Sequence, residues 1–391
     1  MKKLLVINHF PTVYPPISGG TLRYFHLYNE LSSYYEITLL SQTFKRRSGL
    51  FHLGHNFREY KIEIDSSYVY KDQTISPNLM EIYEHTLIQN IKSSNFPTVY
   101  SKYFNQLYRE HDIVIHESPY LLNYDCYLGH DTKPRIYNSH NFEYELANQM
   151  WQNKSARKFL PLVYELEEKL TKHANIIFVT SKAEKNNFIS TFNLNPEKIH
   201  LAPNGIYQEE WIPRGKQQYL KPTALFIGSD YPPNVEAAKY IVQDLANKCP
   251  NVEFIVAGNC CKYFLNTKKN NVKLLKQITH KQKLKLFATV DIALNPMFTG
   301  SGTNLKTLEF LSAGIPLIST NCGVRGLDLI NRKHYVHAEK EDFAKKINDL
   351  ISNQKFANQI SLYGQQYINS HFSWRKIAES MYKIIEDKLA L

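Results

Sequence analysis

Between Phe298 and Leu327 the chain reads FTGSGTNLKTLEFLSAGIPLISTNCGVRGL, and this segment concentrates residues able to bind a phosphorylated ligand. Gly300-Ser301-Gly302-Thr303 is a loop of small side chains whose backbone amides can approach a ligand closely. Asn304 to Ala313 follows with Leu305, Leu308 and Leu311 at helical spacing, ended by Gly314 and Pro316. Lys306 and Glu309 stand three apart and share another helix face near its start. A helix N-terminus behind a glycine loop favours anions, and the Lys306 ammonium adds a full positive charge there. The Glu309 carboxylate, with two acceptor oxygens, suits the vicinal hydroxyls of a ribose. This is the chemistry of a site for a phosphorylated sugar or a nucleotide.

Other positions are less specific. Gly19-Gly20 precedes an expected helix, where a glycine pair serves either ligand approach or an ordinary turn. His140 follows an expected strand and precedes the polar stretch Asn141 to Glu145, which suits a structural histidine as well as an active-site one. Glu165, Glu167 and Glu168 share a helical stretch with Lys169 and Lys172, and a solvated face is expected for them. No Asp-x-Asp signature stands at a strand end, and no metal ligand is assigned. The five cysteines, Cys126, Cys249, Cys260, Cys261 and Cys322, lack metal-ligand spacing, and an odd, scattered set suits a reducing cytoplasm.

These residues need elements to hold them. Apolar runs alternate with helical patterns along the 391 residues, the signature of α/β layering. Strands are expected at Lys3 to Asn8, Glu36 to Leu40, Ile113 to His116, Arg135 to Asn138 and Ile176 to Thr180. After Lys221 they recur at Ala224 to Ile227, Glu253 to Ala257, Lys273 to Leu275, Asp291 to Asn295 and Pro316 to Ser319. Helices are expected at Thr21 to Ser33, Asn234 to Leu245, His280 to Ala288, Asn304 to Ala313 and Glu341 to Asn353. The tyrosine-rich stretch Phe44 to Asn105 is irregular; helices and acceptor-facing loops are expected there, without bounds. A chain this long calls for two domains, and Gln208 to Pro222, with Pro213, Gly215 and Pro222, is the best linker. In two doubly wound halves, ligands collect at the C-terminal strand ends, where both glycine loops fall, and a cleft between domains is the default site.

With 43% hydrophobic and 13% aromatic residues the chain is globular rather than disordered. No apolar run approaches the ~20 residues that span a bilayer. The apolar start at Leu4 stops at Asn8-His9 without a small-residue cleavage site, which reads as a first strand rather than a signal peptide. The net charge of +11 is uneven: residues 1–215 carry 23 basic and 22 acidic side chains, whereas 216–391 carry 24 and 14. Lysines are dense from Lys262 to Lys285 with no acid between them, giving either a solvated face or an attraction for anions. No nucleic-acid recognition motif accompanies this charge.

The segment Asn295 to Leu327 resembles the donor-binding segment of the retaining glycosyltransferases of family four. Other segments agree in order: Gly19-Gly20 with the N-terminal glycine loop, NSHNFEYE (Asn138 to Glu145) with the active-site histidine segment, and APNGI (Ala202 to Ile206) with the interdomain turn. FIGSDYPPN (Phe226 to Asn234) is similar to the loop after the first C-domain strand, and HFSW (His371 to Trp374) to the start of a helix crossing back. The resemblance implies an α/β chain of the GT-B fold, two Rossmann-like doubly wound domains facing each other across a cleft. The acceptor domain would span 1–212, the donor domain 213–371 and the returning helix 372–391. It also implies a metal-independent, cytoplasmic hexosyltransferase without a cofactor. A nucleotide-diphosphate sugar of the UDP or GDP type would be the donor, and a glycan, lipid-linked or other glycoconjugate the acceptor, in bacterial surface polysaccharide assembly. Its catalytic set would be His140, Lys306 and Glu309, with His140 orienting the sugar or supporting developing charge. Its donor site would use Gly19, Gly20, Gly228, Asn234, Gly300, Ser301, Gly302, Thr303, Asn304, Leu305, Lys306 and Glu309.

Two departures stand out. The family commonly has a glutamate eight positions before the helix glutamate, where this chain has Ser301. It often has an Arg and a Lys in or soon after the loop that here reads Gly228-Ser229-Asp230-Tyr231-Pro232-Pro233-Asn234, which carries no cation; Lys306 is the candidate replacement. A GT-B epimerase or phosphorylase, or a silent sugar-nucleotide-binding subunit, are the alternatives. Lys45-Arg46-Arg47 beside Leu50-Phe51 is either an exposed loop or a patch for peripheral contact with the inner membrane face.

Overall fold

The computed structural model describes residues 1–12, 19–43, 48–64, 79–130, 132–212, 215, 221–300 and 302–389. They form two compact units, Met1–Pro203 with Trp374–Leu391, and Asn204–Ser373.

The first unit is built on strands β1 (Lys3–Asn8), β2 (Glu36–Thr43), β3 (Gly49–Gly54), β4 (Phe57–Glu63), β5 (Ile113–His116), β6 (Arg135–Asn138), β7 (Ile176–Val179) and β8 (Ile199–Leu201). Their order is β3-β4-β2-β1-β5-β6-β7-β8, and every pair is parallel except β3 with β4. The central strands are short, continuous apolar runs because helices cover both faces of a parallel sheet. Leu4, Leu5 and Val6, Ile113 to Ile115 and Ile176 to Val179 are accordingly buried. Chain order reverses between β1 and β5, and side chains just beyond those strands therefore converge on one place.

The stretch from Phe44 to Asn105, irregular as a sequence, contains an antiparallel hairpin and the helices Leu79–Ser93 and Val99–Glu110. The reason is chemical. Glu59, where an apolar residue would have marked the strand, is fully buried, accepting from the Thr12 amide at 2.8 Å and Ser41 Oγ at 2.7 Å. Lys45, Arg46 and Arg47 lie outside the described residues.

The expected solvated acidic face needs correction at one position. On helix Leu160–His173, Glu165 is exposed and Glu168 pairs with Lys172 at 2.9 Å, but Glu167 is fully buried. It shares the inward stripe of Val163 and Leu170, and it accepts from Tyr137 Oη at 2.8 Å and from the amides of Glu143 and Tyr144 at 3.0 and 2.8 Å. Burial, reinforced by neighbouring Glu143, pushes its carboxyl up to about 8.

Helix Trp374–Leu389 belongs to this first unit: Tyr382 stacks on Tyr34 at 4.4 Å, and Glu386 accepts from Lys2 and from Tyr35 Oη, each at 2.8 Å.

The second unit holds β9 (Thr223–Ile227), β10 (Glu253–Ala257), β11 (Val272–Leu275), β12 (Ile292–Asn295), β13 (Leu317–Ser319) and β14 (Val336–His337). They are parallel, in the order β11-β10-β9-β12-β13-β14, with the reversal between β9 and β12. The expected helix from Asn234 begins at Pro232 and continues past Tyr240 as a π turn over Ile241–Leu245. Residues 204–212, placed with the first domain by sequence, belong to this second unit. The Ile206 amide donates to Phe372 O at 2.8 Å, and Trp211 stacks on Phe287 at 5.2 Å while its indole N–H donates to Ser312 Oγ at 2.9 Å.

Candidate active site

In the second unit the chemistry gathers beyond β9 and β12. Helix Leu305–Ser312 starts behind the glycine loop, with no acidic residue in its first turn. Asn304 stands at its N-cap position without a side-chain cap; its amide instead donates to Cys322 O at 3.3 Å. Gly300 and Gly302 have φ of 123° and 66°, which side chains with a Cβ rarely adopt. Arg325 holds that shape. Its Nη1 donates to Gly300 O at 2.6 Å, while Nε and Nη2 donate to Gly302 O at 3.0 and 2.9 Å. With the carbonyls engaged by a guanidinium, the loop is fixed from behind. Thr303 Oγ1 is buried with no hydrogen-bond partner among the described residues, and the Thr303 carbonyl accepts from Asn204 Nδ2 at 3.3 Å. Ser301 lies outside the described residues.

Lys306 crosses to the loop after β9, donating to Asn234 Oδ1 at 2.5 Å, with Met297 Sδ at 3.8 Å and the Phe226 ring centroid at 4.5 Å. Asn234 lies in the first turn of the helix that follows that loop, so a cation from another element stands next to it. Burial pulls the Lys306 ammonium down to about 8, against the opposing pull of Cys260 and Glu309. A second cation, Lys262, pairs with Asp230 of the same loop, and Tyr263 Oη donates to Asp230 at 3.1 Å. Gly228 is demanded by packing: a Cβ there would stand 2.9 Å from Asn234 Cβ and 3.1 Å from Cys260 Sγ. Leu305 packs against the core, and Glu309 accepts from Lys283 Nζ at 2.5 Å, a pairing the sequence reading missed.

In the first unit, His140 stands just beyond β6 and Glu117 just beyond β5. Glu117 is fully buried and joins His140 Nε2, Tyr28 Oη and Asn138 Nδ2, the last at 2.8 Å. Arg23, from helix Gly19–Leu31, donates to Asn138 Oδ1 at 3.0 Å and to Pro203 O at 3.1 Å. The Tyr24 ring meets His140 edge-on at 4.3 Å. Burial lowers the His140 imidazole below its ordinary 6.5; Glu117 opposes this and Arg23 adds to it. His9, beyond β1, is held by Ser118 Oγ at 2.9 Å and falls to about 3, through burial and then His140. Both imidazoles are neutral at pH 7. Gly19 and Gly20 open the helix, and a Cβ at Gly20 would stand 3.1 Å from Phe10 Cζ, a tight approach that the Phe10 ring would have to yield to. Glu117, Arg23 and His9 escaped the sequence reading, although an acid directly after an apolar strand was a usable signal for Glu117.

Two parallel sheets of doubly wound order, each with polar groups beyond its reversal point, define a chain of the GT-B class. The sequence family described as Glycosyltransferase Family 4 matches residues 82–210, and that described as Glycosyl transferases group 1 matches 221–353. The chain belongs to these glycosyltransferases. Among relatives, the phosphatidylinositol N-acetylglucosaminyltransferase GPI3 subunit of Saccharomyces cerevisiae is 22% identical, over 86% of this chain and 71% of the yeast one. An uncharacterized 44.6 kDa protein in the cps region of Klebsiella pneumoniae is also 22% identical, over 71% and 75%. The solved structure of Anabaena Alr3699/HepE in complex with UDP-glucose has a TM-score of 0.69 at 13% identity, covering 99% of this chain and 100% of the other. Among the described residues no helix is long and apolar enough to cross a membrane.

Proposed function

We propose that this glycosyltransferase transfers a hexose with retention of configuration, without a metal ion, from a nucleotide-diphosphate sugar to a glycan or lipid-linked acceptor. The observation that carries the reading is the half-buried Lys306, joined to Asn234 beside a glycine loop whose Gly300 and Gly302 carbonyls Arg325 engages. Breaking a sugar–phosphate bond leaves negative charge on the diphosphate. A desolvated cation and fixed amides stabilise that charge without a metal. The orphaned Thr303 hydroxyl adds a group able to donate to a phosphate. Glu309 accepts the ribose hydroxyls. UDP is the favoured nucleotide, in line with the UDP-glucose complex of the Anabaena relative in fold. The yeast relative, a phosphatidylinositol N-acetylglucosaminyltransferase subunit, is in line with a lipid-linked acceptor, and the setting assigned to this chain is bacterial surface polysaccharide assembly.

On the first unit His140, made neutral by burial and oriented by Glu117, supports charge developing on the donor sugar rather than attacking it. In a retaining transfer the acceptor hydroxyl attacks from the face the phosphate leaves, and that phosphate takes the acceptor's proton. Calorimetry with UDP, GDP, ADP and CMP tests the donor half: one diphosphate binds selectively and Lys306→Ala abolishes the heat. Failure of all four to bind wild type would overturn the reading. Activity surviving EDTA, with an anomerically pure retained product, tests the rest.

A further inference from the structure

Helix His280–Thr289 opens with a complete capping box, in which Gln282 donors and acceptors are reciprocally engaged with Thr279. Its start is nevertheless miscast electrostatically. No acidic residue lies in the first turn, while His280, Lys281 and Lys283 all crowd an N-terminus that repels cations. A local rule broken without local compensation points to a demand from elsewhere in the fold.

The demand is visible at Lys283. Its stem lies against aromatic rings, with Nζ 5.7 Å from the Trp211 centroid and 5.6 Å from that of Phe287. Nζ donates to Glu309 Oε1 at 2.5 Å, with both side chains mostly withdrawn from solvent, 19% and 15% exposed. Such a pair is less screened than a surface one. Among the described residues, Glu309 Oε2 takes part in no hydrogen bond of this structure, so one carboxylate oxygen is anchored and the other is available. A second carboxylate is close: Glu210 is raised by burial, with Glu309 raising it further and His280 and Lys283 lowering it. Lys283 thus offsets repulsion between two acids while engaging one oxygen of Glu309.

We infer that Lys283 is the positioning residue for Glu309: by holding Oε1 it directs Oε2 to the vicinal hydroxyls of the nucleotide's ribose. The inference rests on the nucleotide-sugar reading and adds to it a specificity determinant on a different helix. Lys283 itself touches no part of the nucleotide in this assignment, so its loss is felt only through the ribose.

The test compares UDP with 2′,3′-dideoxy-UDP by calorimetry, in wild type, Lys283→Met, Glu309→Gln and the double variant. A hydrogen bond to a charged group is worth about tenfold or more in affinity, so wild type should prefer UDP by at least about tenfold. Either single variant should flatten that preference to about twofold, and the double variant should be no flatter, since both act on one bond. Lys283→Arg, which keeps the charge, should restore most of the preference, and it preserves the readout should the Met variant lose its fold. A Lys283→Met protein that retains the wild-type preference overturns the inference. So does one that loses affinity equally for both nucleotides, because that assigns Lys283 to the phosphates or to the fold. Wild type that binds UDP without preferring it overturns the inference and the ribose role of Glu309 but leaves the diphosphate site standing, whereas wild type that binds neither nucleotide overturns the nucleotide-sugar reading and this inference with it.

Discussion

Under the proposed function, burial at Lys306 sets how the diphosphate is bound. Its ammonium, at about 8 rather than the ordinary 10.5, is charged at pH 7 and neutral at pH 9. Diphosphate affinity should therefore be level below pH 7 and fall as pH rises through about 8, a slope that calorimetry across pH 6.5–9 will read. Lys306→Ala should lower affinity by about ten- to a hundredfold, the worth of charge-assisted hydrogen bonds. The same desolvation costs the folded protein stability wherever the amine is charged. Between about 8 and 10.5 the unfolded chain holds a proton that the native chain has released, so this residue's contribution to stability improves as pH rises through that window. His140 makes a separate residue-level prediction. His140→Ala should cut turnover by about a hundredfold or more, the scale of losing one electrostatic group at a reacting centre. UDP affinity should stay within about twofold, because the partners of His140 all lie in the first unit. A matching loss of UDP affinity would remove His140 from the sugar-handling role.

At the scale of elements, what matters is how loops are pinned to strands. The Arg325 guanidinium, from the segment that follows β13, spans the carbonyls of Gly300 and Gly302, and Arg325→Met leaves those carbonyls without their donor. Amide exchange at Gly300 to Asn304 should then accelerate, and UDP affinity should drop by about tenfold as the loop pays ordering entropy on binding. Unchanged exchange would show the loop to be held by its own backbone. Gly258 tests the turn after β10. With φ of 96° and a virtual Cβ 2.3 Å from Gly228 O, Gly258→Ala forces the two turns apart. Strain of this kind costs about 1–3 kcal/mol before any displacement of neighbours, which thermal denaturation will register as a lower Tm. These turns were only half legible as sequence. Glycines announced loops, but which glycine serves a ligand and which merely yields to a neighbour depends on what lies across from it. Gly228, expected as an approach position, is one that packing against Asn234 also demands.

At the scale of the whole molecule, the first unit carries buried carboxyls that set its response to pH. Burial raises Glu143 to about 7 and Glu167 to about 8, from an ordinary 4.5. Between 4.5 and those values the unfolded chain releases protons that the native chain keeps, so this contribution to stability falls as pH rises. The Tm of Glu167→Gln relative to wild type should accordingly improve from pH 5 to pH 8; a constant difference would place the deprotonated form in the native core. Much of the chain's plan followed from order along the sequence alone. Alternating apolar runs determined the α/β class and nearly every central strand, because a strand buried on both faces needs an unbroken apolar run. That the glycine loop, Lys306 and Glu309 stand together was legible because they are close neighbours along the chain. Only the tertiary structure decided who answers them. Asn234 receives the Lys306 ammonium across 72 positions and Lys283 reaches Glu309 across 26, while Arg325 holds the loop from beyond the next strand. Glu167 and Glu59 were the same lesson reversed: an acid reads as solvated until the fold brings donors enough to bury it. Periodicity reports which side of an element faces the core, but hydrogen-bond partners are chosen by sheet order, and sheet order brings together residues that the sequence keeps far apart.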